Sequence, residues 1–377
     1  MTNLFYASFI PGLQNLIADV IKERLPCVKI LKLLDGAVLF ETETSYDKLN
    51  FFCFNNIFAV INISEVQNGV SIEPHFQRTG IKVLEKHIKT FLESKGNFNE
   101  EVIFNNSKNF KSFRIVISNE NIPASIDTQL RAGVEKYIEK LSGLKVNRSL
   151  PDTEFWFLYR TEKNITDNTN AVNNDFSVFM KRLTLRSSWE KTLHKGELPP
   201  PLAWVLCRLA NLSHSDTVLD PFCGYGSIPQ EAFKHFHITK FFACDNNKEA
   251  ALFSEQRFNK RKKDEFTLYR CDFYELLNKI AEKSIDVIVT DPPWGRFGAS
   301  EEQRTENNTQ RDFLVKMFDV FSKLLKDGGR AVVLYVNDDQ LLKAAPPCFK
   351  LKGKMPVLLS GKKAVIYSFL FTAENTE

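Results

Sequence analysis

Thr217-Val-Leu-Asp-Pro-Phe-Cys-Gly-Tyr-Gly226 is the stretch that decides the fold of this 377-residue chain. A β-branched and aliphatic run ends on Asp220, and two glycines one residue apart, Gly224 and Gly226, follow at once. Ser227-Ile-Pro-Gln-Glu-Ala-Phe233 then reads as a helix start, because Pro229 is tolerated in a first turn and Glu231 suits the positive end of the helix dipole. Strand, tight turn and helix in that order form the first step of a doubly wound α/β sheet, whose ligands sit outside the carboxyl ends of the strands. Glycines there let backbone approach a ligand closely. A lone GxG after a strand is equally a plain tight turn, so a second signal is needed.

That signal lies some seventy residues on. Ile285-Asp-Val-Ile-Val-Thr290 reads as a buried strand and ends in Asp291-Pro-Pro-Trp-Gly295. Two consecutive prolines cannot continue a ladder, so pairing stops and the next residues are held at the carboxyl end of the strand. Asp291 and the carbonyl of Pro292 can accept hydrogen bonds from an exocyclic amino group, and Trp294 offers a face for the base that carries it.

Together, Asp220-Pro-Phe-Cys-Gly-Tyr-Gly226 and Asp291-Pro-Pro-Trp294 resemble the S-adenosylmethionine-dependent amino-methyltransferases. The Asp-Pro-Phe-Cys-Gly variant resembles in particular the RNA guanine-N2 methyltransferases that carry an N-terminal THUMP domain. The resemblance implies a Rossmann-like class I methyltransferase domain over 187–377, preceded by an α+β ferredoxin-like domain over 1–64 and a THUMP-like RNA-binding domain over 65–186. It implies S-adenosyl-L-methionine as cofactor, held by Asp220, Phe222, Gly224, Gly226, Asp245, Asn246, Asp272 and Phe273, with Asp291, Pro292 and Trp294 as the catalytic group and no metal. Asp245 would accept from the ribose hydroxyls, a position that equally suits a helix N-cap. Asp272 would accept from the adenine amine, and Phe273 would pack on its ring. Tyr225 departs from the family, which more often has Thr or Ser between the two glycines.

Working outward, 43% hydrophobic and 25% charged residues describe a globular chain with ample core, long enough for two or three domains. The sequence shows no run of membrane-spanning length and no leader pattern, so a cytoplasmic protein without membrane contact is expected. Seven cysteines, odd in number and without CxxC spacing, read as reduced thiols. A net charge of +4 permits nucleic-acid binding without demanding it, so local clusters must carry that argument. Lys181, Arg182, Arg186, Lys191 and Lys195 concentrate positive charge where the two halves join and are expected to touch RNA backbone. The cluster from Arg257 to Lys263 reads as either a solvated helix end or a further RNA contact.

In the N-terminal half, Leu4 to Ser8 reads as a strand, and a helix follows Pro11. Asp35-Gly36 joins a hairpin. A short helix over Asp47 to Cys53 and a strand from Ile57 complete a ferredoxin-like β-α-β-β-α-β order. A strand at Phe113, a helix ending at Ser142, the Pro151-Asp152 turn and the strand after it resemble a THUMP module, which grips the acceptor end of tRNA. Guanine N2 in structured RNA, tRNA first, is therefore the expected target. Adenine N6 in RNA or DNA remains an alternative because the same tetrapeptide serves both amines, and a non-catalytic RNA-binding relative is the alternative of a different class. A small activating protein subunit is a further partner that some relatives require, and a monomer is otherwise expected.

Overall fold

A computed structural model describes residues 2–46, 48–49, 52–66, 76–93, 99–104, 109–120, 122–162, 174–184, 193–294, 306–336, 340–359 and 361–373. The chain divides into two compact units. The first comprises Met1–Phe9 and Gln14–Ser188, the second Ile10–Leu13 and Trp189–Glu377.

The first unit contains β1 (Asn3–Ser8), α1 (Gln14–Arg24), β2 (Lys29–Leu34), β3 (Ala37–Thr42), β4 (Asn56–Val66), α2 (Phe76–Glu93), α3 (Glu100–Phe104), β5 (Ser112–Asn119), β6 (Ile122–Pro123), α4 (Thr128–Ser142), β7 (Lys145–Val146), β8 (Thr153–Glu162) and β9 (Asn174–Arg182). The Asp35-Gly36 hairpin forms as the sequence predicts, with Gly36 at φ 79°. α4 begins where the Asp127 side chain accepts from Leu130 N at 2.9 Å and ends on left-handed Gly143. Phenylalanines fill the core, as in the Phe157–Phe179 stack with centroids 4.1 Å apart. The expected helix over Asp47 to Cys53 does not form in the residues described there, which are turn and bend.

All nine strands join one sheet in the order β2-β3-β1-β4-β9-β8-β5-β6, with β7 also on β5. The expected boundary after residue 64 thus falls inside β4. That strand pairs antiparallel with β1 on one side and with β9 on the other.

The second unit contains α5 (Pro200–Leu209), β10 (Thr217–Asp220), α6 (Ser227–His235), β11 (Lys240–Cys244), α7 (Lys248–Arg257), β12 (Phe266–Tyr269), a 3-10 turn (Phe273–Asn278), β13 (Ile285–Thr290), α8 (Glu306–Leu324), β14 (Leu325–Val336), α9 (Gln340–Ala344), β15 (Phe349–Leu359) and β16 (Lys362–Phe371). Its sheet runs β12-β11-β10-β13-β14-β16-β15. β10 to β14 are parallel and the β15–β16 hairpin is antiparallel. Strand order reverses between β10 and β13, so the loops after these two strands flank the crevice where doubly wound folds bind ligands. The strands are apolar on both faces because helices cover both. Val218, Leu219, Val287, Ile288 and Val289 are fully buried. Thr217–Gly226 and Ile285–Trp294 therefore meet at one point of one sheet.

Candidate active site

The turn after β10 is built around two carboxylates. Asp220, 1% exposed, accepts from Phe222 N at 3.2 Å and from the Thr290 hydroxyl at 2.8 Å, which ties the carboxyl ends of β10 and β13 together. Its Oδ2 is buried without a hydrogen-bond partner. Burial, only partly offset by those two hydrogen bonds, pushes its carboxyl up to about 8. Asp245, just past β11, accepts from Gly224 N at 2.7 Å through Oδ2 and from Asn247 N at 2.8 Å through Oδ1. Asn247, not Asp245, caps α7, through bonds from Glu249 N and Ala250 N. The carboxylate of Asp245 thus ties the glycine turn to the next strand, and its remaining lone pairs still have acceptor capacity.

Each glycine has its own reason. Gly226 starts α6 at φ 84°, and a Cβ there would lie 2.8 Å from Ser254 Oγ and 2.9 Å from the Phe258 ring, so it lets α6 and α7 approach. Gly224, at φ 50°, has no atom within 4 Å of a Cβ position. The turn's left-handed backbone is what it serves.

A cavity of about 620 Å³ opens beside this turn, within the range of about 300–1,000 Å³ usual for cofactor sites. Phe222, Asp245, Asn246, Asp272, Phe273 and Asp291 of the expected site residues line it, while Pro221, Cys271, Tyr274, Pro293, Asp312, Phe313 and Lys316 complete the wall. Asp220, Gly224 and Gly226 do not line it and act on it through the turn they shape. Asp272 accepts from Asn246 Nδ2 at 2.7 Å and from the Tyr274 hydroxyl at 3.1 Å. The rings of Phe222, Phe273 and Phe313 form a triangle with centroids 5.1–5.6 Å apart. The carboxylates of Asp245 and Asp272 and the rings of Phe222, Phe273 and Phe313 thus line one cavity.

Asp291 follows β13 and is half-buried. Burial pushes its carboxyl up to about 7, with the Trp294 hydrogen bond pulling the other way. Trp294 Nε1 donates to Asp291 Oδ1 at 2.8 Å, and the ring packs partly on the hydrophobic core. Pro292 is buried, and neither it nor Trp294 belongs to the cavity lining described. The arrangement makes Trp294 a holder of Asp291. Pro293 is held in turn, its carbonyl accepting from Gln310 Nε2 at 3.3 Å.

Phe313, Asp312, Lys316 and Gln310, all on α8, carry no local sequence signal of a site. Phe313 shares its helix with Phe318 and Phe321, which are fully buried, and nothing local separates the cavity phenylalanine from the core ones.

Two expected RNA contacts are corrected. Lys181 is 3% exposed, its ammonium donates to the carbonyls of Val102 and Ile103, and it lies over the Phe155 ring. Arg182 is 5% exposed and donates to Glu154 and Asn56. Both are spent inside the first unit and cannot reach a phosphate. Arg186 and Lys191 lie outside the described residues, and Lys195 is exposed. Nearby, Tyr225 stacks on His194 with centroids 4.1 Å apart and planes at 7°. Glu197 accepts from His194 N, Arg257 and Ser227. The tyrosine that departs from the family pattern thus has a partner of its own.

Parallel order β12-β11-β10-β13-β14 and the antiparallel final pair make the class I, Rossmann-like methyltransferase fold, the fold of enzymes that take S-adenosyl-L-methionine as methyl donor. Residues 187–352 match the family described as UPF0020, RMKL-like, methyltransferase domain. The chain is 27% identical over 281 residues to the tRNA (guanine(10)-N2)-dimethyltransferase of Methanocaldococcus jannaschii, spanning 71% of this chain and 74% of that one. It is 30% identical over 200 residues to the tRNA (guanine(6)-N2)-methyltransferase of Thermus thermophilus, spanning 51% and 54%. The crystal structure of TrmN from Thermus thermophilus superimposes with a TM-score of 0.71 at 18% identity, covering 98% of this chain and 100% of that one, a likeness of fold.

Proposed function

We propose that the chain methylates the exocyclic N2 amine of a guanosine in structured RNA, tRNA being the substrate class to which the relatives' names point. The observation that carries the reading is the placement of Asp291, at the Pro-Pro end of β13, on the wall of the same cavity as Asp245 and Asp272. S-adenosyl-L-methionine supplies, when bound, an electrophilic methyl group on a sulfonium centre. Asp245 and Asp272 would hold its ribose and adenine amine, and Phe222, Phe273 and Phe313 its ring. Guanine N2 is a poor nucleophile because its lone pair is delocalised into the ring. Ionised Asp291 would accept an N–H of that amine and localise the lone pair, so positioning and electrostatics supply the rate. Trp294 would fix the carboxylate through Oδ1, and the target base would leave its stack to reach it. The first unit would be a THUMP-like module that holds the RNA, with Lys195 as a phosphate contact on the second.

The test is methyl transfer to bulk tRNA by the full chain, scored by nucleoside mass spectrometry. N2-methylguanosine is the expected product. N6-methyladenosine would assign the same chemistry to the other amine. A protein that binds S-adenosylmethionine yet modifies no RNA would overturn the reading.

A further inference from the structure

Between Asp339 and Glu374 the chain carries six lysines, Lys343, Lys350, Lys352, Lys354, Lys362 and Lys363, and no acidic residue. That local charge exceeds the +4 of the whole protein. The stretch folds as α9 and the β15–β16 hairpin, and all six lysines are exposed.

Strand register decides which of them can serve the active site. β16 is antiparallel to β14, with Val336 opposite Ala364 and Arg330 opposite Leu370. β14 runs parallel to β13. The hairpin tip, Gly361 with Lys362 and Lys363, therefore lies at the carboxyl ends of the parallel strands, the end at which Asp220 and Asp291 emerge. Lys350 faces Leu370 at the opposite end of the same hairpin, and Lys352 lies at the bulge close by. With neighbouring strands about 4.8 Å apart, β16 is two strands and about 10 Å across from β13, whereas Lys350 is roughly 25–30 Å along the hairpin from Lys362.

A base swung into the cavity leaves its sugar-phosphate backbone outside, across the carboxyl ends of the strands. Lysine is a point charge suited to phosphate oxygens. We propose that Lys362 and Lys363 contact the RNA phosphates flanking the target nucleotide, an inference that rests on the RNA reading above. The occupant is a phosphate backbone because two consecutive exposed lysines sit beside the strand ends that would receive the base.

The experiment compares two double variants of the full chain, Lys362→Gln/Lys363→Gln and Lys350→Gln/Lys352→Gln. Both remove two charges from exposed positions of one hairpin, at its opposite ends. Binding of bulk tRNA is measured from 50 to 300 mM salt, and S-adenosylmethionine affinity is measured alongside. The tip variant should bind tRNA about tenfold more weakly at 0.1 M salt, with a log–log salt slope shallower by about 2. Its cofactor affinity should stay within twofold and its methylation loss should lie in KM for RNA. The base variant should match wild type. Equal losses in the two variants would reduce the effect to net charge and overturn the assignment. Unchanged tRNA binding in the tip variant would overturn it too and leave the surface to an acidic protein partner. Wild-type protein that fails to bind tRNA at 50 mM salt would bring down the RNA reading and this surface together.

Discussion

The two sheets use their charged residues in opposite ways. In the first unit Lys181, Arg182 and Glu154 lie inside, each with partners from neighbouring elements. Burial pushes the Lys181 ammonium down to about 8, and its bonds to the carbonyls of Val102 and Ile103 fasten α3 to the sheet. In the second unit Asp245, Asp272 and Asp291 stand half-exposed at the carboxyl ends of consecutive steps of a parallel sheet, around one cavity. Buried charge with partners fixes a fold, while partly exposed like charges gathered at a rim are held for a ligand.

Glu154 is the most vulnerable point of the first sheet. Glu154→Ala removes the acceptor of Arg114, Arg182 and Trp156 and leaves cations buried without it. Denaturant unfolding of the first unit should show a loss of about 3–5 kcal/mol, with S-adenosylmethionine affinity unchanged in native buffer. A loss below 1 kcal/mol would mean the pair is not structural. Asp291→Ala should leave both stability and cofactor affinity near wild type and cut single-turnover methyl transfer by about 10²–10³-fold, or about 2.7–4 kcal/mol. Wild-type turnover in that variant would remove the residue from the mechanism. Asp245→Ala loses a charged acceptor, so calorimetry should show cofactor binding weakened by about 1.5–3 kcal/mol. Phe313→Ala opens one side of the aromatic triangle and should weaken the same binding by about 0.5–1.5 kcal/mol.

The smallest change is the sharpest. Asp291 acts as an acceptor in its ionised form, so the rate should rise as pH passes through about 7 and level off above it. Trp294→Phe keeps a π-face and deletes the N–H that pulls this carboxyl down. The midpoint of the pH–rate curve should therefore move to higher pH, with the plateau rate largely kept. An unmoved midpoint together with a large fall in the plateau would give Trp294 a role on the base alone.

Asp220 gives the stability counterpart. Its folded-state carboxyl lies near 8 against an ordinary value of 3.8, so between those values the folded state binds the extra proton. Stability should fall as pH rises through that window. Asp220→Asn, whose Oδ1 can keep both hydrogen bonds, should flatten the curve.

Much of the second unit was legible in the sequence because its decisive features are local. A strand, a glycine turn and an acid at the next strand end are contiguous, and two prolines mark the end of β13 wherever it packs. What escaped was carried by distant parts of the chain. Phe313 reaches the cavity only because α8 packs beside the 3-10 turn that carries Phe273. Lys181 and Arg182 look like a solvated strand end until α3 and Glu154 are placed against them. The pairing of β4 with β9 is the extreme case, since Phe58 sits opposite Arg182 and no periodicity relates residues that far apart.

That pairing also has a consequence for the order in which the molecule is made. β4 leaves the ribosome roughly a hundred residues ahead of β9, which at about 5–20 residues per second is an interval of about 5–20 s. Throughout it the ladder groups on one side of β4 have no strand to bond. A nascent chain stalled before residue 174, or a fragment begun at residue 65, would carry a raw sheet edge into solution. The first unit is thus completed only when its last strand arrives.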